Sequence, residues 1–143
     1  MPTVERTITV QKPVSVVWDY LSDFTNTEEW DPPTVSTVRT SGDGGLGTTY
    51  RNVSSMLGHE TEVEYEVVRF EPHQVFELTG SANGLSLRDT ITFESGQETT
   101  TVTYRSEFSP HGVAKLATPV IAGGIEVLGS KVAASLEKHL LAL

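Results

Sequence analysis

The order of apolar and polar residues at the start of the chain predicts one strand and two short helices. Residues 4–10 alternate between the two kinds of side chain, which is typical of a strand with one buried face. Pro13 suits the first turn of a helix, where its missing N–H would have no partner in any case, and an acidic turn ends that helix. A second brief helical turn places Trp30 ahead of Pro32 and Pro33, which prevent the helix from continuing.

Alternation with a period of two returns after Pro33 and continues, with turns between the segments, as far as residue 108. It predicts strands at residues 34–40, 48–56, 59–70, 75–79, 85–93 and 99–108. In the third of these segments the glutamates at positions 60, 62, 64 and 66 share one face, so we expect that face to be wet and the opposite face dry. The doubled Val67-Val68 shifts the phase and predicts a bulge that turns Phe70 back toward the interior.

The period lengthens beyond Gly112 and predicts a long helix in the last part of the chain. Thr118 can cap this helix and Pro119 can occupy its first position. About 25 residues at ~1.5 Å each give a length of about 37 Å, which is enough to cross a sheet. The apolar residues that share one stripe of the helix are Ile121, Ile125, Leu128, Val132, Leu136 and Leu143. The stripe must be buried on the dry face of the sheet, which predicts an α+β fold with a space between helix and sheet.

Composition and charge narrow the class of protein. The 143 residues suit one domain, residues 1–143, and the net charge of −9 argues against binding to nucleic acid or to anionic membranes. The absence of cysteine excludes disulfides, thiolate metal sites and cysteine nucleophiles. No signal peptide is visible, and the longest apolar stretch, residues 116–128, is too short and too interrupted to span a bilayer. We therefore expect a cytoplasmic protein without stable membrane insertion.

Two patterns that suggest a cofactor or a metal ion are not supported by their surroundings. Gly42-x-Gly44-x-x-Gly47 matches the dinucleotide-binding fingerprint, but a strand follows it where the fingerprint needs a helix. The four histidines, at positions 59, 73, 111 and 139, lack a spacing that would converge on a metal ion. We therefore predict a loop between strands at residues 41–47, and neither a cofactor nor a metal site.

Three residues are candidates for moving protons. Asp89 lies between Leu87 and Ile91 on the dry face of its strand, where a carboxylate must be paired or have a raised pKa. A structural role, at an exposed strand end or beside an arginine, is favoured over catalysis. His139 lies near the middle of the apolar stripe, and packing near the helix C-terminus is favoured over acid–base chemistry. Tyr104 offers a hydroxyl group from the last strand.

Both halves of the chain resemble a known superfamily. The first half carries Ile8-x-x-x-x-Pro13-x-x-x-Val17-Trp18-x-x-Leu21-x-Asp23 and then Glu29-Trp30-Asp31-Pro32, and the second half carries Thr101-Val102-Thr103-Tyr104 before Gly112-x-x-x-Leu116-x-x-Pro119. These segments resemble the START-like (SRPBCC) superfamily, and within it the polyketide cyclase/dehydrase-like group of small bacterial proteins. The resemblance implies a helix-grip fold. In that fold a strongly curved antiparallel sheet of about seven strands wraps around a long C-terminal helix, with two short helices after the first strand.

The same resemblance implies an apolar cavity between the sheet and the long helix. Aromatic residues usually line this cavity, and tyrosine adds a hydroxyl group that can orient a ligand. The residues that we predict to bind a ligand are Trp30, Tyr50, Tyr65, Phe76, Leu87, Asp89, Tyr104, Ser106, Phe108, Val120, Ile121 and Gly124.

The superfamily includes lipid carriers, plant ligand-binding proteins, aromatase/cyclases and co-chaperones, so the fold leaves three functions open. The first is binding of a small hydrophobic molecule, such as a lipid, a polyketide or an aromatic compound. The second is catalysis by a polyketide aromatase/cyclase or dehydratase, in which Asp89, Tyr104 or His139 moves protons. The third is a co-chaperone-like interaction with another protein. The sequence shows no evident acid–base pair, which weakens the second function, and no second domain, which weakens the third. The first function is therefore favoured. The sequence leaves the oligomeric state open.

Overall fold

The secondary structure follows the predicted order of elements. In the computed structural model the described residues are 3–56, 59–82, 84–111 and 118–143, with the backbone alone for Met56 and residues 118–128. The strands are β1 (Thr3–Val10), β2 (Thr34–Ser41), β3 (Thr49–Met56), β4 (His59–Glu71), β5 (Val75–Ala82), β6 (Leu85–Ser95) and β7 (Thr100–Pro110). The helices are α1 (Val14–Leu21), α2 (Thr27–Trp30) and α3 (Thr118–Leu141), and a 3-10 turn spans Phe24–Asn26. Across these ranges, no helix has the length and apolar character needed to cross a membrane.

The seven strands form one antiparallel sheet in the order β1-β7-β6-β5-β4-β3-β2. The strands from β2 to β7 are each paired with the next in the chain, whereas β1 pairs with β7 and places Ile8 opposite Val102. β1 and β2 therefore lie at opposite edges, and the segment between them, which contains α1 and α2, spans the width of the sheet. The predicted helix-grip architecture, with two short helices after β1 and a long helix after β7, is confirmed.

The alternation in β4 separates a solvent face from a core face, as predicted. The glutamates at positions 60, 62, 64 and 66 are exposed, whereas Val63, Tyr65 and Val67 are buried. The pairing of β4 with β5 shifts its register between Val67 and Arg69, which confirms the bulge. Beyond the bulge, the ring of Phe70 packs against Trp18 of α1 with the ring centroids 5.3 Å apart.

Aromatic rings attach α1 and the 3-10 turn to the sheet. Trp18 makes edge contacts with Phe76 and Phe93, with ring centroids 6.2 and 5.0 Å apart. The rings around Phe24 are Tyr50, Tyr65 and Phe76, at centroid distances of 5.4, 5.0 and 6.3 Å. Edge and tilted contacts of this kind add to the stabilisation from burial, because the positive edge of one ring meets the negative face of another. This aromatic cluster holds the start of the crossing segment in place.

The second half of α3 packs against β1 and the core. Its buried apolar residues are Val132, Leu136 and Leu140. Gly129 permits a close approach to β1, because a Cβ atom at that position would lie 2.3 Å from Cγ2 of Val4. Leu143, which the periodicity assigns to the buried stripe, follows the end of the helix and is exposed, so that assignment is wrong. The predicted stripe residues that lie outside the described side chains are Ile121, Ile125 and Leu128.

The glycine-rich segment connects β2 to β3 and is the predicted loop between strands. Gly42, Gly44 and Gly47 have φ angles of 91°, 104° and 83°, a region that glycine adopts without steric cost. Because a strand follows this loop, it does not present the helix N-terminus that binds a pyrophosphate.

Leu136 tests the packing of α3. Its replacement by alanine is expected to lower the free energy of unfolding by about 2–5 kcal/mol, because it removes a fully buried side chain and neighbouring atoms fill the space only in part. Denaturant unfolding followed by circular dichroism measures the loss. The matched control is Leu141→Ala, since Leu141 is 52% exposed in the last turn of the same helix and should lose less than about 0.5 kcal/mol. Equal losses in the two variants would contradict this packing.

Candidate functional site

A cavity of about 90 Å³ lies between the sheet, α2 and the second half of α3. The predicted site residues that border it are Trp30, Tyr65, Leu87, Asp89, Tyr104, Ser106 and Phe108. The wall is apolar over much of its extent, because Val4, Val63 and Val132 also contribute to it. The polar part of the wall includes two carboxyl groups, those of Asp31 and Asp89. The cavity therefore combines apolar burial with a small number of hydrogen-bonding groups, which is the usual composition of a small-molecule site.

Several predicted site residues lie elsewhere. Tyr50 and Phe76 pack around Phe24 in the aromatic cluster and do not border the cavity, because the 3-10 turn lies against them. His139 is half-buried, and its Nδ1 donates a hydrogen bond to the carbonyl oxygen of Ser135 at 2.8 Å. That bond holds Nδ1 within its own helix, and His139 is not among the described residues that border the cavity, which agrees with the packing role favoured by the sequence analysis. The predicted ligand-binding residues outside the described side chains are Val120, Ile121 and Gly124.

Asp89 is buried in β6, as the alternation of its strand predicts, with only 5% of its surface exposed. Ser106 lies directly opposite in β7, and its Oγ donates a hydrogen bond to Oδ1 of Asp89 at 2.5 Å. The Tyr65 hydroxyl group donates a second hydrogen bond to this carboxyl group. Burial raises the pKa of Asp89 to about 6, although both hydrogen bonds act in the opposite direction. Within the described ranges no arginine or lysine pairs with it, so the proposed arginine partner is not found.

Asp31 is a second carboxyl group at the same cavity, and the sequence analysis did not identify it as a site residue. The backbone leaves α2 at Asp31 with φ −100° and ψ 104°, the extended conformation that a following proline favours. The Oγ1 of Thr34 donates a hydrogen bond to its Oδ2 at 2.6 Å. The residue is partly exposed, but many protein atoms surround the carboxyl group, and this burial raises its pKa to about 7. The nearby charge of Asp89 raises the pKa further.

A network of hydrogen-bonded polar side chains leads to Asp31 through Thr34. The Nδ2 of Asn52 donates hydrogen bonds to Oγ1 of Thr37 at 2.9 Å and to Oγ1 of Thr34 at 3.3 Å. The Oγ of Ser54 donates to Oδ1 of Asn52 at 2.6 Å. Because each member is held by another, the network fixes the side chain of Thr34 and, through it, the carboxyl group of Asp31.

Two tyrosines stand close to these acids. The pKa values of Tyr65 and Tyr104 are raised well above their usual value, first by burial and then by the negative charge of Asp89. Gly80 lies opposite Tyr65 in β5, and a Cβ atom there would lie 2.7 Å from Cε1 of the tyrosine ring. The absence of a side chain at Gly80 therefore lets the Tyr65 ring lie against β5, from where its hydroxyl group reaches Asp89.

Trp30 borders the cavity, and its indole N–H lacks a hydrogen-bond partner among the described residues. The residue is 1% exposed, and its ring meets Tyr104 edge to face with the centroids 5.7 Å apart. Among the residues that the structure describes, none accepts a hydrogen bond from its Nε1. A buried N–H without a partner costs about 1–3 kcal/mol, and buried tryptophans usually avoid that cost. This is the feature of the cavity that points most directly to a ligand.

The described ranges contain no cluster of three or more histidine, aspartate or glutamate side chains that would hold a metal ion. The cavity instead offers two carboxyl groups that change protonation near neutral pH, two phenol groups and one indole N–H. Such a set can hold a ligand by hydrogen bonds, and it can also donate or accept protons.

Solved structures share this architecture at low sequence identity. The Zhui aromatase/cyclase from a Streptomyces species has a TM-score of 0.81 and 16% identity, with 96% of this chain and 92% of that chain covered. A START superfamily protein from Mycobacterium smegmatis has a TM-score of 0.78 and 13% identity, with 96% and 95% covered. Norcoclaurine synthase from Thalictrum flavum has a TM-score of 0.66 and 16% identity, with 97% and 86% covered. At these identities the likeness concerns the fold.

A search of curated protein sequences found no match to this chain. A protein-family model, in contrast, matches residues 1–140, which is nearly the whole chain. This match confirms the resemblance that the motifs of β1, α1 and α2 first indicated. The chain belongs to the family described as polyketide cyclase / dehydrase and lipid transport.

Proposed function

We propose that this protein binds a small, mainly apolar molecule in the cavity between the sheet and α3. The observation that carries the proposal is that Trp30 borders the cavity and that its buried Nε1–H has no acceptor among the described residues. A ligand with a hydrogen-bond acceptor would satisfy this group, while the apolar wall would take up the rest of the molecule. The family description, which includes lipid transport, supports the same reading.

The size of the cavity limits what fits without movement of its wall. A volume of about 90 Å³ holds several water molecules or one small ring. Sites for drug-sized ligands usually measure about 300–1,000 Å³. A polycyclic ligand would therefore require the wall to open, whereas a single-ring compound would need little or no change.

A filling substitution tests whether this cavity is the binding site. Ser54 is buried at the cavity wall, so Ser54→Phe should occupy the space and lower the affinity for a single-ring aromatic compound by at least about tenfold. Ligand-detected NMR measures the affinity, and circular dichroism checks the fold. Ser55→Phe is the matched control, because Ser55 is the next residue of β3 and is exposed on the other face. The same loss in both variants, or in neither, would contradict binding at this cavity.

Catalysis is the second candidate function, and the pair of carboxyl groups favours it. Asp31 and Asp89 border one cavity and have pKa values of about 7 and about 6, so near neutral pH a protonated acid and an ionised base can coexist there. A polyketide aromatase/cyclase or dehydratase needs such a pair, since a base removes a proton beside a carbonyl group while an acid protonates the oxygen that gains charge or leaves. One structural neighbour is an aromatase/cyclase by name.

Asp89→Asn separates the two candidates, because it keeps the shape of the side chain and removes its acidity. An enzyme that depends on this carboxyl group should lose turnover of a poly-β-ketone substrate by about 10²–10⁴-fold. A carrier should retain its affinity for the same compound within about threefold and show no turnover before or after the change. Product analysis by mass spectrometry, together with a binding titration, reads out both quantities. Undiminished turnover in the variant would remove Asp89 from the reaction.

The raised pKa of Asp31 can be tested without any substrate. Its folded-state pKa of about 7 lies above the unfolded value of ~3.9. Between these two pH values, folding therefore takes up a proton. The contribution of this group to the stability falls as the pH rises from about 4 to about 7. Asp31→Asn removes this dependence. The variant should therefore gain stability relative to the native chain over that range, by a few kcal/mol at about 1.4 kcal/mol per pKa unit. Urea unfolding at a series of pH values measures the difference, and a constant difference would contradict the raised pKa.

A further inference from the structure

We propose that the cavity selects an uncharged, ring-sized molecule that carries a hydroxyl group, and that it excludes carboxylates. The inference rests on the ligand-binding function proposed above and names the class of ligand. It follows from the charges around the cavity, from the hydrogen-bonding capacity of three wall residues, and from the cavity volume.

The charges at the wall oppose an anion. Asp31 and Asp89 both border the cavity, and no lysine, arginine or histidine of the described residues borders it with them. Arg6 comes close, with Nη2 about 3.1 Å from where a Cβ atom of Gly129 would lie, but it is not part of the wall. A carboxylate that entered would therefore meet no cation among the described residues of the wall and would be repelled by two acids. A free fatty acid or an aromatic acid is disfavoured for this reason.

The wall presents both a donor and acceptors. The Nε1–H of Trp30 can only donate a hydrogen bond, whereas an ionised carboxylate at Asp31 or Asp89 can only accept one. A hydroxyl group does both, so one such group on the ligand can accept from Trp30 and donate to a carboxylate. An ammonium group would leave Trp30 without a partner, and a ketone or ether could not use the acceptor capacity that the carboxylates keep beyond their bonds to Thr34 and Ser106. Of these substituents, the hydroxyl group is the one that can bond to both sides.

The volume sets the size of the probe molecules. The cavity of about 90 Å³ suits one ring, so phenol, toluene and benzoate form a matched series that differs in one substituent. Affinities are measured by ligand-detected NMR at pH 8, where benzoate is fully ionised. Phenol should bind about tenfold more tightly than toluene, because its hydroxyl group gains hydrogen bonds to Trp30 and to a carboxylate. Benzoate should bind at least about tenfold more weakly than phenol.

Three variants connect these affinities to the cavity and to its named residues. Trp30→Phe keeps an aromatic ring and removes the N–H, so the ratio of phenol to toluene affinity should fall several-fold whatever happens to each affinity alone. The double variant with Asp31→Asn and Asp89→Asn removes both negative charges, so benzoate should gain at least about fivefold relative to toluene. Ser54→Phe should abolish binding of phenol and toluene, which locates both probes in this cavity.

The outcomes distinguish this inference from the function on which it rests. If the folded native chain binds neither phenol nor toluene, ligand binding at the cavity is overturned, and this inference with it. If phenol and toluene bind equally well, or if benzoate binds as tightly as phenol, the cavity binds ligands but this inference is overturned. An unchanged phenol-to-toluene ratio in Trp30→Phe would also overturn it, because the donor would then have no part in selection.

Discussion

Because β1 pairs with β7, the first strand lies at the edge of the sheet opposite to β2. The residues between these strands must cross the sheet, and they do so as α1, a 3-10 turn and α2. Trp18 and Phe24 fix the start of this crossing on the aromatic cluster, and the crossing ends where the backbone leaves α2 ahead of Pro32. Trp30 and Asp31 come to the cavity at that point. The chemistry of the cavity thus depends on the pairing of the first strand with the last.

The groups at the cavity reduce the stability of the fold. In the described part of the chain, two carboxyl groups have no cation beside them and one buried indole N–H has no acceptor. Each of them costs free energy relative to an apolar residue of similar size. The buried part of α3 and the aromatic cluster offset this cost. Local departures from good packing of this kind are expected at functional sites, because function imposes requirements that stability alone does not.

Three parts of the fold supply the residues of the cavity wall, and the residues of each part can change independently of the others. The sheet supplies Asp89, Tyr65 and Ser106 at fixed register positions, and the crossing segment supplies Trp30 and Asp31. The second half of α3 also contributes to the wall. In such a fold, a change of one or two wall residues alters the charge or the hydrogen bonding of the cavity without disturbing the strands. This explains how one architecture serves binding proteins and enzymes alike. For this chain, the two functions differ in whether the acids hold a bound molecule or also move its protons.

The sequence by itself determined the seven strands, their wet and dry faces, the bulge after Val67 and the burial of Asp89, because each of these depends on local periodicity. It also determined the family, through motifs around α1 and α2. Only the tertiary structure decided that Asp31 joins Asp89, that Tyr50 and Phe76 pack away from the cavity, and that Leu140 rather than His139 points into the core. These outcomes depend on strand order, sheet curvature and the rotation of a helix on its neighbours. Such features bring together residues that are distant along the chain, and no pattern within a single segment encodes them.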